Sequence, residues 1–145
     1  MFTSNLYIPD ASVILKWVFD TPEESDRDIA LALLNKWVAG ECEFVLPALW
    51  LYEVGNIIGR NTPDKAADLM TLLIEYRITE APVTPAIAER TLTIMSDCRV
   101  TFYDAVYHAI ALERRGTLVT TDAAYLKKAG TLGKAVLLSD FGVEN

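Results

Sequence analysis

Histidine and cysteine are almost missing from this chain, with one His and two Cys in 145 residues. Cys42 and Cys98 stand far apart with no C-x-x-C spacing, which argues against a structural zinc centre. Both thiols read as small apolar fillers. No apolar run approaches the roughly 18 residues of a membrane span. The opening M-F-T-S-N-L-Y-I-P-D has no basic segment leading into a long apolar one, so neither a membrane anchor nor a secretory leader is expected, and the expected compartment is the cytoplasm. G-x-x-x-x-G-K-[ST], G-x-G-x-x-G and G-x-S-x-G are all absent, which removes the common nucleotide-binding and acyl-transfer readings. Positive charge is also short: 13 Lys and Arg face 20 Asp and Glu, for a net charge of −7. A broad basic face for nucleic acid is therefore not expected. Acids neutralised by bound cations remain compatible with nuclease chemistry.

Apolar side chains, in contrast, are plentiful, at 52% of residues with a mean hydropathy of +0.23. A chain of this length reads as a single domain over residues 1–145, able to bury about 68–70% of the surface its unfolded form exposes. The stretch from Val100 to Leu126 organises the rest. It reads as a helix, a glycine stop at Gly116, a short buried strand at Thr117–Thr120 and a second helix at Ala123–Ala129.

Leu6, Tyr7 and Ile8 form a short apolar run that reads as a central strand, followed by a helix over residues 11–19. Thr21-Pro22-Glu23-Glu24 has the signature of a helix start, with Gly40 as its stop. A strand is expected over residues 43–46 and a helix from 48 to about 60. Thr62-Pro63-Asp64 repeats the threonine-proline opening before a helix over 66–76. Residues 79–83 read as a strand that Pro82 confines to an edge or a strand end. Thr84-Pro85 opens a helix to about residue 97, and residues 135–138 make a last strand. Three Thr-Pro starts are shared punctuation, and their surroundings do not match as repeats. Strands separated by helices imply parallel pairing with right-handed crossovers. The expected fold class is α/β, with four to five short strands and about seven helices.

The chemistry rests on carboxylates. Asp10 and Asp122 each follow a strand and precede a helix, where aspartate is also a good cap. Asp104 stands three residues after Thr101, a T-x-x-D pattern that likewise reads as capping. Glu53 lies inside the expected 48–60 helix, too far in to cap it, on a mostly apolar stripe with Leu49, Trp50 and Ile57 and the amide of Asn56. Its alternatives are a salt bridge or an exposed face. In a parallel sheet the carboxyl ends of the strands are where ligands bind. Close carboxylates cannot all stay ionised without cations between them. An all-oxygen site suits Mg²⁺ or Mn²⁺, and such ions support phosphodiester hydrolysis. A non-catalytic Mg²⁺-binding module and a nuclease acting on DNA share these acids and stay open.

The runs I-P-D-A-S-V-I-L-K-W (8–17), L-P-A-L-W-L-Y-E-V-G-N (46–56), T-F-Y-D-A-V-Y-H-A-I-A (101–111) and L-V-T-T-D-A-A-Y-L-K-K-A (118–129) resemble PIN-domain proteins of the VapC-like toxin type. The resemblance implies a three-layer α/β/α domain that acts as a Mg²⁺- or Mn²⁺-dependent endoribonuclease. It places the family's four acids on Asp10, Glu53, Asp104 and Asp122, with Ser12, Asn56, Thr120 and Thr121 at supporting polar positions. His108 stands where the family usually has an apolar residue and reads as a packed or surface side chain rather than a member of the cleft. The resemblance further implies an RNA substrate, homodimers and inhibition by a cognate antitoxin whose C-terminal segment wraps the toxin. Trp17, Trp37, Trp50 and Tyr52 are candidate apolar contacts for that segment, and core packing explains most of them equally well.

Overall fold

In the computed structural model, residues 5–142 are described. Five strands, β1 (Asn5–Pro9), β2 (Cys42–Pro47), β3 (Thr79–Ala81), β4 (Thr117–Thr120) and β5 (Ala135–Leu137), form one sheet in the order β3-β2-β1-β4-β5. Every pairing is parallel. The helices are α1 (Ala11–Val18), α2 (Arg27–Val38), α3 (Trp50–Asn61), α4 (Ala66–Glu75), α5 (Pro85–Cys98), α6 (Phe102–Arg114) and α7 (Ala123–Ala129). The sheet lies between helical layers in an α/β/α arrangement.

A parallel sheet covered on both faces needs near-continuous apolar strands. Phe44, Val45 and Leu46 of β2 and Leu118 and Val119 of β4 meet that need, all buried. Helix α6 packs across β1, β2 and β4 with α5 beside it, while α1 lies against β4 and α2 against β2. Residues 105–111 of α6 are accordingly buried without a break. Three of the four residues proposed as partner contacts turn inward or pack on the core. Trp17 and Trp50 are buried, and Trp37 stacks on Phe44 at 5.4 Å. Tyr52 alone of that set is open to solvent, 82% exposed.

The strands fall close to where expected, with β3 at an edge and ending at Ala81, before Pro82 and two residues short of the expected 79–83, but two of the three Thr-Pro openings do not start a helix. Thr84 does, accepting from the Ile87 N–H at 3.2 Å with Pro85 in the first helical position. Around Thr21-Pro22 the chain makes turns, and α2 begins only after Asp26. Tertiary bonds to α1 prevail there: Glu24 pairs with Lys16 at 3.0 Å, and Arg27 donates to the Lys16 and Trp17 carbonyls. Thr62 bonds backward, its hydroxyl donating to the Ile58 carbonyl at 3.0 Å, so it closes α3 instead of opening α4. A threonine hydroxyl can serve either direction, and the local sequence does not choose.

Gly116 also has a different role from a helix stop. Arg115 takes the left-handed conformation that ends α6 (φ 57). A Cβ on Gly116 would lie 2.6 Å from Ile8 Cδ1 and 3.0 Å from the Leu6 carbonyl oxygen. Glycine is needed there so that the chain entering β4 can approach β1 closely.

Candidate active site

Strand order decides where the site lies. From β1 the chain crosses to β2 and β3 on one side, then returns past β1 to β4 and β5 on the other. The reversal falls between β1 and β4, and open parallel sheets bind ligands at the carboxyl ends of the strands at such a point. Pro9 pairs with Val119 there, and the Asp10 N–H donates to the Val119 carbonyl at 3.1 Å. Asp10 and Asp122 thus leave neighbouring strands at the same edge.

Both also cap helices. Asp10 accepts from the Ser12 N–H at 3.0 Å at the head of α1. Asp122 accepts from the Tyr125 N–H at 2.9 Å at the head of α7. Thr101 caps α6 by accepting from the Asp104 N–H at 3.1 Å, which leaves Asp104 in the first turn of α6 beside the edge. Asp104 and Asp122 share the lining of a cleft of about 380 Å³.

Glu53 sits nearer a helix end than the sequence suggests. Helix α3 starts at Trp50, so Glu53 occupies its first turn. Its side chain caps nothing; it accepts a 2.6 Å hydrogen bond from the Tyr107 hydroxyl of α6. Among the described residues neither a lysine nor an arginine pairs with it. The three ion pairs among the described residues, Lys16–Glu24, Arg27–Asp20 and Arg90–Glu113, all lie outside the four acids.

The electrostatics are those of uncompensated, partly desolvated acids. Burial pushes the Asp10 carboxyl up to about 6 against the lowering effect of its hydrogen bonds to Ser12 and Thr120. Glu53 is raised by burial first and then by the charges of Asp104 and Asp10, with the Tyr107 bond opposing. Asp104 is raised by burial and by the charge of Asp122. Glu53 and Asp104 therefore each feel the charge of neighbouring acids in the set. Among the described residues, however, no three acids, histidines or cysteines form a group tight enough to hold a metal ion directly.

The supporting polar residues divide by role. The Ser12 hydroxyl donates to Asp10 and accepts from the Thr121 N–H at 3.1 Å, which fastens α1 to the β4–α7 turn. Thr120 is buried; its hydroxyl accepts from the Asp122 N–H at 3.0 Å and also bonds Asp10, so it joins two of the acids. Thr121 contributes its backbone and leaves its side chain exposed, and Asn56 is exposed one turn beyond Glu53. His108 is fully buried, with one ring nitrogen 2.8 Å from the Tyr125 hydroxyl and the other 2.8 Å from the Gly133 carbonyl, and it bonds to none of the four acids among the described residues. Burial lowers its pKa. The residue that sequence reasoning missed is Tyr107. Its place three residues after Asp104 on the same helix was the available signal.

The PIN domain model matches residues 7–131, a span that includes all four acids. The chain belongs to the PIN domain family. Solved structures agree on the fold of this PIN domain. A toxin–antitoxin complex from Klebsiella pneumoniae matches with a TM-score of 0.66 and 17% identity over 93% of this chain and 98% of that one. VapBC-1 from nontypeable Haemophilus influenzae gives 0.67 and 14% over 92% and 98%. Mycobacterium tuberculosis VapC20, a toxin that cleaves the sarcin–ricin loop, gives 0.65 and 13% over 88% and 95%. A search of curated proteins returns no match. No helix among the described residues of this PIN domain is long and apolar enough to cross a membrane.

Proposed function

We propose that this PIN domain is a divalent-metal-dependent endoribonuclease, the toxin of a toxin–antitoxin pair. The observation that carries the reading is the gathering of acids about the β1/β4 switch point, with Asp10, Glu53 and Asp104 raised by burial, Glu53 and Asp104 raised further by neighbouring acids, and none of the four in an ion pair among the described residues. The donor chemistry is all carboxylate and hydroxyl oxygen, which fits a hard ion such as Mg²⁺ or Mn²⁺ that keeps several waters of its own. Because no three of these acids close on one point, Asp10, Asp104 and Asp122 would hold it in part through its waters, with Glu53 as a further ligand or as the group that positions the attacking water. When bound, the ion supplies charge neutralisation and a nucleophile at neutral pH.

The chain's own residues do the positioning. Ser12 and Thr120 fix the Asp10 carboxylate through its hydrogen bonds. Tyr107 fixes Glu53, whose raised pKa brings it nearer the range useful to a general base. The description of one structural relative as a sarcin–ricin loop-cleaving toxin supports RNA as the substrate. Relatives described as toxin–antitoxin complexes support an antitoxin partner, and an acidic chain suits a basic inhibitory segment. A homodimer is the expected assembly.

Defined RNAs and matched DNAs, incubated with Mg²⁺ or with EDTA, test this directly. The expected result is RNA cleavage that EDTA abolishes and that a folded Asp104→Asn protein lacks. Cleavage of DNA alone would move the protein to the deoxyribonucleases. Mg²⁺ binding without cleavage of either would make it a non-catalytic module. A folded Asp104→Asn protein cleaving at the wild-type rate would sink the site assignment.

A further inference from the structure

The cleft lined by Asp104 and Asp122 also carries positive charge. Arg99 and Lys128 line it together with Thr101 and Tyr125. Arg99 is the residue that ends α5, in the left-handed conformation at φ 57, and Lys128 stands on the last turn of α7. Two elements remote in sequence thus bring two cations into the lining of a cleft that also carries two acids. In a chain with a net charge of −7, this pairing is not a sample of a generally basic surface.

Neither cation is used up by a carboxylate. None of the ion pairs among the described residues involves Arg99 or Lys128. Among the described residues the Lys128 ammonium donates only to the Arg99 carbonyl oxygen, a long 3.4 Å contact, and both side chains are exposed. An ammonium resting on a neutral carbonyl keeps its charge available, and a guanidinium offers a planar fork that matches phosphate oxygens.

We propose that Arg99 and Lys128 form a phosphate-binding subsite that grips a backbone phosphate of single-stranded RNA next to the scissile one. The division of labour follows from the charges. The acids need a cation before they tolerate any phosphate, whereas Arg99 and Lys128 attract one unaided. The subsite therefore sets where the strand lies relative to Asp104 and Asp122 and carries no base information. It rests on the reading of this protein as a ribonuclease and adds to it the residues that hold the strand.

The test measures binding separately from cleavage. Fluorescence anisotropy of a labelled mixed-sequence single-stranded RNA is followed across a KCl series, with Ca²⁺ in place of Mg²⁺. Arg99→Gln and Lys128→Met are compared with wild type, alone and combined. Lys127→Met is the control, since it removes the same charge from the same helix but does not line the cleft. The double variant should bind about tenfold more weakly, for every RNA sequence tried, and its log–log salt slope should be shallower by about 0.7, the release expected for one single-strand phosphate contact. Lys127→Met should match wild type. Unchanged affinity and slope in the double variant would overturn the proposal, as would an equal loss in Lys127→Met or a wild-type protein that binds no RNA. Wild-type RNA binding with these shifts but no cleavage in Mg²⁺ would retain the subsite and refute the nuclease. Cleavage without these shifts would do the reverse.

Discussion

The Tyr107 hydroxyl donates to Glu53 Oε1 at 2.6 Å and joins α6 to α3 across 54 residues of sequence. Tyr107 is buried at 2% exposure, so Glu53 is held by a partner that cannot swing away into solvent. A hydrogen bond to the charged form favours that form, and it works against burial and the neighbouring acids.

Tyr107→Phe removes that bond and little else. The fold should survive with a loss of about 1.5–3 kcal/mol, the usual worth of a hydrogen bond to a charged group. The Glu53 carboxyl should move further up, so the acidic limb of the kcat/KM profile should shift to higher pH. A profile that coincides with wild type would place Glu53 outside the reaction.

Asp10→Asn should trade activity for stability. The folded Asp10 carboxyl keeps its proton up to about pH 6, whereas its ordinary value is 3.8. Between those values the folded state binds more protons than the unfolded, so stability falls as pH rises and the cost is complete above about 6. Asparagine caps a helix as well as aspartate and carries no charge. In EDTA at pH 8 the variant should be about 2–3 kcal/mol more stable than wild type, with the gap closing as pH falls toward 4. Urea melts across pH read this difference, and RNA cleavage should be lost at every pH.

Ser12→Ala deletes the hydroxyl that links Asp10 to the Thr121 N–H. A loss of about 1–2 kcal/mol is expected, together with a further rise in the Asp10 pKa. Cleavage should fall more at pH 6 than at pH 8, because a more basic Asp10 is more fully protonated at the lower value. An equal loss at both would make Ser12 a purely structural link.

His108→Leu probes the opposite claim, that the only histidine is outside the chemistry. The substitution strands the Tyr125 hydroxyl and the Gly133 carbonyl, which should cost about 2–4 kcal/mol in a thermal or urea melt. At a temperature where the variant is folded, kcat/KM should stay within about threefold of wild type, the scale of a change that removes no transition-state contact. A loss of several hundredfold in folded protein would bring His108 into the mechanism.

Much of this was readable from short-range pattern. Thr117–Thr120 and Ala123–Ala129 fall where the residues put them, because a short apolar run bounded by turn chemistry and an aspartate cap is local information. The same holds for Thr84-Pro85 at the head of α5. Asp10, Asp104 and Asp122 were likewise locatable, since each stands at an element boundary that its own neighbours define.

The tertiary structure decided what those boundaries face. Whether Thr62 opens a helix or closes one, and whether Glu24 starts a helix or pairs with Lys16, depends on groups outside the local window. That β1 lies beside β4 is set by non-local pairing, and this adjacency alone brings Asp10 and Asp122 to one edge. Glu53 shows the division most sharply. The sequence marks it as a carboxylate that caps nothing, and only the packing of α6 against the sheet supplies Tyr107 as its partner and the other acids as its electrostatic neighbours. Burial and mutual repulsion are properties of distance, and chain order does not encode distance until the strands have paired.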